Sequence, residues 1–138
     1  MKKTLLFLLF PFLLLSLHAQ ESAFEFSFQQ EKSDTIMTLT STKTFPCLGY
    51  GIKAYKVWSQ DTLIIDIRGF RKPDPCYASM DAAREKLDMS GIGTKFFYIK
   101  FRRKEMKNKK EEDLWKVEIK GETYKMTPLT NSFSRYSK

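Results

Sequence analysis

Short runs of alternating apolar and polar residues recur along this chain and constrain its fold more than any other feature. In residues 24–29, FEFSFQ, phenylalanine occupies every second position. This period of two places the apolar side chains on one face of a β-strand, and turn residues separate the successive runs. The pattern predicts a mainly all-β domain with antiparallel strands, arranged as a sandwich or a barrel, and the favoured architecture is an immunoglobulin-like β-sandwich. Further runs of this kind are TIMTLTS, GIKAYKVW, TLIIDIRGF, KFFYIKFRR and LWKVEIKG.

The finer signature of an immunoglobulin domain is absent. In that domain a tryptophan packs on the disulfide, and a tyrosine stands two positions before the second cysteine. Here Trp58 follows Cys47 by 11 residues, but Cys76 comes only 18 residues later. Asp74 occupies the position of the tyrosine. The prediction is therefore of the sandwich architecture without that specific motif.

One stretch departs from the strand pattern. Residues 79–89, SMDAAREKLDM, contain good helix formers, with Met80, Ala83 and Leu87 at helical spacing and Ser79 as an N-cap. The stretch predicts one short helix or helical turn. The alternative is a loop that leads into a short strand around residues 86–89.

The first 19 residues have the layout of a secretory signal peptide. Lys2 and Lys3 precede an apolar run at residues 5–15, and Ala19 supplies the small residue of a cleavage site. The run is shorter than the roughly 20 residues that a membrane span requires. We therefore predict cleavage after Ala19, export to the periplasm or the exterior, and no transmembrane segment in the mature chain.

Cleavage would leave residues 20–138, the length of a single domain, with a polar tail expected to be loose from about residue 128. It would also remove His18, the only histidine. Without histidine, the mature chain lacks Ser-His-Asp and Cys-His sites, histidine general bases and nearly all zinc sites. The sequence thus predicts a non-enzymatic protein with no cofactor and no metal.

The mature chain is basic. Loss of Lys2 and Lys3 with the signal reduces the 24 basic residues to 22, against 16 acidic residues, for a net charge of +6. A basic exported protein is attracted to anionic glycans, lipid headgroups and acidic proteins. Nucleic acid is not an expected partner in that compartment.

The two cysteines, Cys47 and Cys76, each follow a proline. In an oxidising compartment two cysteines usually pair. Cys47 precedes the third predicted strand, GIKAYKVW, and Cys76 follows the fourth, TLIIDIRGF. A hairpin of these two strands would place both cysteines at the same end. A redox pair would normally be Cys-x-x-Cys, and two thiolates without histidine make a poor zinc site. The favoured interpretation is a structural disulfide.

The densest basic cluster lies in KFFYIKFRRKEMKNKKEED, residues 95–113. If residues 96–103 and 113–120 form a hairpin, one face is apolar and the other combines aromatic rings with cations. Such a surface can stack on sugar rings or clamp anionic groups. The alternative is a solvated hairpin whose charges keep its edge unpaired. The candidate binding residues are Phe96, Tyr98, Lys100, Arg102, Lys116 and Lys120.

The segments FPCLGYGI and LIIDIRGFRKPDPCYASMDAA resemble small secreted proteins of envelope-bearing bacteria. In those proteins Pro-Cys begins one strand, a second cysteine follows the next strand, and a late strand pair completes a β-sandwich. The resemblance covers about residues 45–126. It implies the fold and the exported compartment, and no activity.

Three functions follow from these features. The favoured one is an exported binding module that contacts an anionic glycan or another envelope protein through the basic aromatic hairpin. One alternative is a secreted enzyme inhibitor that uses a disulfide-stiffened loop near Cys47 or Cys76. The other is a small hydrolase with two carboxylates. Its candidate acids are scattered over turns and outward positions: Asp61, Asp66, Asp74, Asp81 and Asp88.

Overall fold

The computed structural model describes residues 23–90, 92, 95–104 and 110–138; the predicted signal peptide, residues 1–19, lies outside them. The described residues form nine strands and no helix, which confirms the all-β class. In this part of the chain, no helix has the length and apolar character needed to cross a membrane. The strands are β1 (Phe24–Glu31), β2 (Asp34–Cys47), β3 (Gly51–Ser59), β4 (Thr62–Arg71), β5 (Ala78–Asp88), β6 (Phe96–Lys104), β7 (Lys110–Lys120), β8 (Thr123–Thr130) and β9 (Ser134–Tyr136).

The strands form one curved sheet that is nearly barrel-shaped, in the order β8-β7-β6-β4-β3-β5-β2-β1-β9. β3 and β4 form an antiparallel hairpin, and so do β6 and β7, which is the arrangement that the disulfide and binding-face hypotheses require. However, β4 runs parallel to β6 and β1 runs parallel to β9. β3 meets β5 at a single parallel bridge, Gly51 with Arg84. The immunoglobulin-like antiparallel sandwich is therefore not confirmed, because alternation along a strand defines its faces but not its neighbours.

The interior is filled by the apolar face of each strand. The ring of Phe26 on β1 lies 4.8 Å from that of Phe101 on β6 and 5.2 Å from that of Trp115 on β7. These strands are far apart in the sheet order, so the sheet must curl until its two halves pack on each other. The buried core also contains Met37, Leu39, Ile52, Leu63, Ile65, Ile67, Phe97, Ile99, Val117 and Phe133.

Residues 79–89 do not form the predicted helix. They belong mostly to β5, which pairs antiparallel with β2 over most of its length. Ala83 and Leu87 are buried, whereas Met80 is 66% exposed. The buried positions thus follow a period of two and not the helical spacing. Pairing with the 14-residue β2 overrides the helix propensity of this segment, since tertiary contacts commonly outweigh intrinsic preference.

Because residues 78–88 form a strand, we expect different effects from truncation of Leu87 and Met80, two side chains that a helix would place on the same face. We expect Leu87→Ala to lower the free energy of unfolding by about 2 kcal/mol, because it leaves a cavity in the core. We expect Met80→Ala to change it by less than about 0.5 kcal/mol, because that side chain is exposed. Urea unfolding of both variants measures the difference, and equal losses would contradict the strand.

The predicted disulfide is present. Cys47 at the end of β2 is bonded to Cys76 in the loop between β4 and β5, with Cα atoms 5.3 Å apart. The amide N–H of Leu48 also donates to the carbonyl oxygen of Tyr77, at 3.0 Å. These contacts clasp the two chain segments at one end of the sheet. A disulfide is typical of an oxidising environment, which agrees with the predicted export.

The C-terminal segment is not the loose tail that was expected from about residue 128. Residues up to Thr130 belong to β8, and β9 then pairs with β1. Phe133 between them is 1% exposed and lies in the core. The sequence did not predict the burial of Phe133, because a single apolar residue between two serines shows no strand periodicity.

Asp113 holds this segment in place. Its side chain is fully buried, and its two carboxylate oxygens accept hydrogen bonds from the backbone N–H groups of Ser132, Phe133 and Ser134 and from both serine hydroxyls, at 2.6–2.9 Å. The indole N–H of Trp115 donates to the Ser134 hydroxyl at 2.9 Å. These bonds connect β7 to the turn before β9 and close one end of the sheet.

The carboxyl of Asp113 is surrounded by donors rather than by cations. Burial raises its pKa, but the hydrogen bonds from Ser132, Ser134 and Phe133 outweigh that effect and hold the pKa below its ordinary value of 3.8. Asp113 is therefore an ionised structural residue, since several backbone N–H donors strongly favour the charged form of a carboxylate.

Candidate functional site

The β6–β7 hairpin brings most of the predicted binding residues onto one outer surface. Phe97, Ile99 and Phe101 point into the core, so the alternate residues of β6 point outward. The Cα of Tyr98 pairs with that of Lys116 on β7. We call this outer surface, made of Phe96, Tyr98, Lys100, Arg102, Lys116 and Lys120, the hairpin face.

Aromatic rings occupy one end of the hairpin face. Phe96 is 47% exposed, and its ring centroid lies 6.2 Å from that of Tyr98 in an edge-to-face arrangement. The Nζ atom of Lys116 lies 5.7 Å from the centroid of Phe96, within the range of a cation–π contact. The rings are thus held in place with an ammonium group beside them.

Acidic side chains on β7 accompany two of the cations. Glu118 accepts from Lys116 at 3.4 Å and lies 3.7 Å from the ammonium of Lys125. The charge and hydrogen bond of Lys116 lower the pKa of Glu118 below its ordinary value of 4.5. Glu112 lies 3.1 Å from the guanidinium of Arg102. Part of the positive charge of the hairpin face is therefore balanced within the face itself.

Lys100 lies at the centre of the face and differs from these cations. Its Cα partners are Ile64 on β4 and Leu114 on β7, so both of its lateral neighbours are apolar. All three side chains are partly exposed. A cation bordered by apolar groups is poorly screened and is available to an incoming anion.

Lys120 lies at the periphery. It is the last residue of β7 and is exposed, and its carbonyl accepts from the hydroxyl of Thr123 at 2.8 Å across the turn to β8. Its Cα partner is also Thr123. The hairpin thus brings five of the six residues together, and Lys120 extends the surface towards β8.

The hairpin face continues into a groove of about 520 Å³ at the far end of β6. Because β4 runs parallel to β6, the Cα of Asp66 pairs with that of Arg102, and Arg68 follows two residues later. Four cations and two carboxylates line this groove, which we call the arginine groove. Its lining residues are Asp66, Ile67, Arg68, Arg102, Arg103, Lys110 and Glu112.

Each arginine of the groove is held by neighbouring groups. The guanidinium of Arg68 lies 3.5 Å from the carboxylate of Asp66 and 4.7 Å from the ring centroid of Tyr55. Arg103 donates to Glu111 at 2.5 Å and stacks 4.5 Å over the ring of Phe133. Planar guanidinium groups with fixed orientations suit bidentate binding of carboxylate, sulfate or phosphate groups.

The sequence did not identify the arginine groove. Arg68 lies on the outer face of β4, as the alternation in TLIIDIRGF predicts, but its distance from Arg102 depends on the parallel β4–β6 pairing. That pairing joins strands separated by β5 in sequence. Residues of one hairpin can be grouped from local spacing, whereas residues of non-consecutive strands cannot.

The remaining candidate chemistries are a hydrolase site with two carboxylates and a metal site. Asp66 and Glu112 share the groove, and each is paired with an arginine, with 41% and 49% of their side chains exposed. Among the described residues, no group of three or more histidine, cysteine, aspartate or glutamate side chains is placed to hold a metal ion.

Comparison with known proteins adds no relative: no protein-family model, curated protein or solved structure matches this chain.

Proposed function

We propose that this protein is an exported, non-enzymatic binding module that holds an anionic glycan on its hairpin face. The observation that carries the proposal is the position of Lys100, a cation flanked by Ile64 and Leu114 and in line with Tyr98 and Phe96 on the same strand. Apolar and aromatic side chains offer contact area to sugar rings, and the cation attracts their acidic substituents.

The arginine groove supports the same ligand class. Each of its three arginines is paired with a carboxylate, and Lys110 adds one further positive charge, so the groove keeps a positive charge that attracts anions to the end of the hairpin face. In this proposal Asp66 and Glu112 orient Arg68 and Arg102 and take no part in catalysis. A glycan chain lying along β6 would contact the aromatic rings at one end of the strand and the guanidinium groups at the other.

Reversal of charge at Lys100 and Arg102 tests the proposal. We expect the Lys100→Glu/Arg102→Glu variant to bind heparin about tenfold more weakly at low salt, because two attractive contacts become repulsive. Its affinity should also fall less steeply as salt is added, since fewer ion pairs remain to be screened. Isothermal titration against heparin, with neutral dextran as the reference, measures both effects.

The matched control is Lys72→Glu/Lys138→Glu, which changes the net charge equally at two exposed positions away from the hairpin face. This control should retain most of the affinity of the wild-type protein. If the two variants bind heparin equally, binding depends on overall charge, and the hairpin face is only a solvated surface.

A second candidate function is supported by the end of the sheet that carries the disulfide. Leu48, Tyr77 and Met80 are 45%, 66% and 66% exposed, and the first two flank the clasp formed by Cys47 and Cys76. A stiffened loop with exposed apolar groups is the type of element by which an inhibitor enters the site of an enzyme. Partner binding of this kind would survive the Lys100→Glu/Arg102→Glu changes.

A further inference from the structure

The strand β3 has one paired edge and one largely unpaired edge. It pairs with β4 along its whole length, but its described pairing with β5 is limited to Gly51 and Arg84. Beyond that bridge, the ammonium of Lys56 reaches the carbonyl oxygen of Asp88 at the end of β5. The side chain of Lys56 thus bridges a gap between β3 and β5. Two paired strands would lie about 4.8 Å apart and would need no such bridge.

The same part of β3 is exposed on both faces. Every residue from Tyr55 to Ser59 is exposed, although alternate residues of a strand point in opposite directions. Tyr55, Val57 and Trp58 are 55%, 59% and 42% exposed, and they account for three of the eight large apolar side chains exposed in the described chain. The end of β3 therefore exposes apolar groups on both of its faces while it remains paired with β4.

The other sheet edges carry features that discourage strand addition. The edge strand β8 contains Pro128, which cannot donate a hydrogen bond to a neighbour, and β9 has only three residues. β3 contains no proline. Its only protective residues are Lys53 and Lys56, which oppose pairing with a strand of the same charge.

We propose that the edge of β3, residues 53–59, binds an extended acidic segment of another protein as an added strand. Main-chain hydrogen bonds to the unpaired edge supply the affinity, and alternate side chains of the partner cover Tyr55 and Val57 on one face and Trp58 on the other. Carboxylates of the partner pair with Lys53 and with Lys56, whose ammonium exchanges the carbonyl oxygen of Asp88 for a partner carboxylate when the strand is added. The absence of any acidic residue from β3 makes the strand complementary to such a segment and repulsive to a second copy of itself.

The probe is a fluorescent peptide in which glutamate and valine alternate. We expect it to bind the wild-type protein, and we expect the Lys53→Glu/Lys56→Glu variant to bind it at least about tenfold more weakly. The same peptide with alternate backbone nitrogens methylated loses the donors of one edge and should also bind about tenfold more weakly. A lysine–valine peptide should not bind. Fluorescence anisotropy measures each case.

The outcomes separate this proposal from glycan binding. The Lys100→Glu/Arg102→Glu variant carries the same charge change on the hairpin face and should bind the acidic peptide normally. Equal binding of the methylated and unmethylated peptides would show that charge alone attracts the probe, which overturns strand addition. Absence of peptide binding, or a wild-type dimer that dissociates on Tyr55→Asp, would overturn the proposal as well. Circular dichroism confirms that each variant remains folded.

Discussion

Replacement of Asp113 by asparagine is expected to lower the free energy of unfolding by about 3 kcal/mol. Five donors from Ser132, Phe133 and Ser134 converge on the two carboxylate oxygens. An asparagine keeps the shape of the side chain but replaces one acceptor oxygen by an NH₂ group. At least one buried backbone N–H would then face another donor, which costs more than the loss of a single hydrogen bond.

The matched control is Glu112→Gln. It removes the same charge one residue earlier on the same strand, but its side chain lies on the outer surface, paired with Arg102. Exposed ion pairs contribute little, so we expect a change of less than about 1 kcal/mol. Urea unfolding at neutral pH compares the two variants. Equal losses would mean that the turn before β9 does not depend on the Asp113 hydrogen bonds.

The Asp113 effect should depend on pH. Because the pKa of this carboxyl is lower in the folded protein than in the unfolded chain, its contribution to stability is complete above about pH 4 and is lost as the pH falls through the folded value. The stability difference between wild type and Asp113→Asn should therefore be constant near neutral pH and become smaller in acid. A difference that grows below pH 4 would contradict the assigned direction of the shift.

The second large effect is expected from the disulfide. The Cys47→Ala/Cys76→Ala variant should lose about 3–4 kcal/mol, because the bond links residues 29 apart and restricts the unfolded chain. In the folded state Cys47 is also paired with Ala78, so the two segments stay adjacent without the bond. The loss should therefore arise mainly in the unfolded state.

Reduction of the wild-type protein is the control for this double variant. Cys76 is exposed, so a soluble thiol can reach the bond. The reduced protein and the variant should unfold at similar urea concentrations and retain the same circular dichroism spectrum. A loss below about 1 kcal/mol in both would show that the unfolded chain is already restricted near these residues.

Local patterns predicted the strands well and their partners poorly. The inward residues of β4 and β6, such as Ile65 and Ile99, are buried as the alternation predicted. β5 was misread because AAREKL has high helix propensity, and only the adjacent β2 makes it a strand. β9 was missed because only Phe133 and Tyr136 pack on the core in this short, polar segment. Short-range periodicity specifies which face is buried, whereas pairing depends on contacts between distant segments.

The candidate sites divide in the same way. The hairpin face was predicted because β6 and β7 are consecutive, and one turn determines which residues share a surface. The arginine groove and the edge of β3 were not predicted. The groove requires the parallel pairing of β4 with β6, and the edge exists because β3 diverges from β5 after Gly51.

The sequence by itself determined the all-β class, the inward and outward faces of most strands, the β3–β4 and β6–β7 hairpins, and the pairing of the two cysteines. Each depends on neighbouring residues or on the presence of only one possible partner. The tertiary structure alone decided the strand order, the parallel pairs and the role of Asp113, whose donors lie 19–21 residues away in the chain. These features depend on contacts between strands that are distant in sequence and come together only when the sheet curls, so local patterns do not predict them.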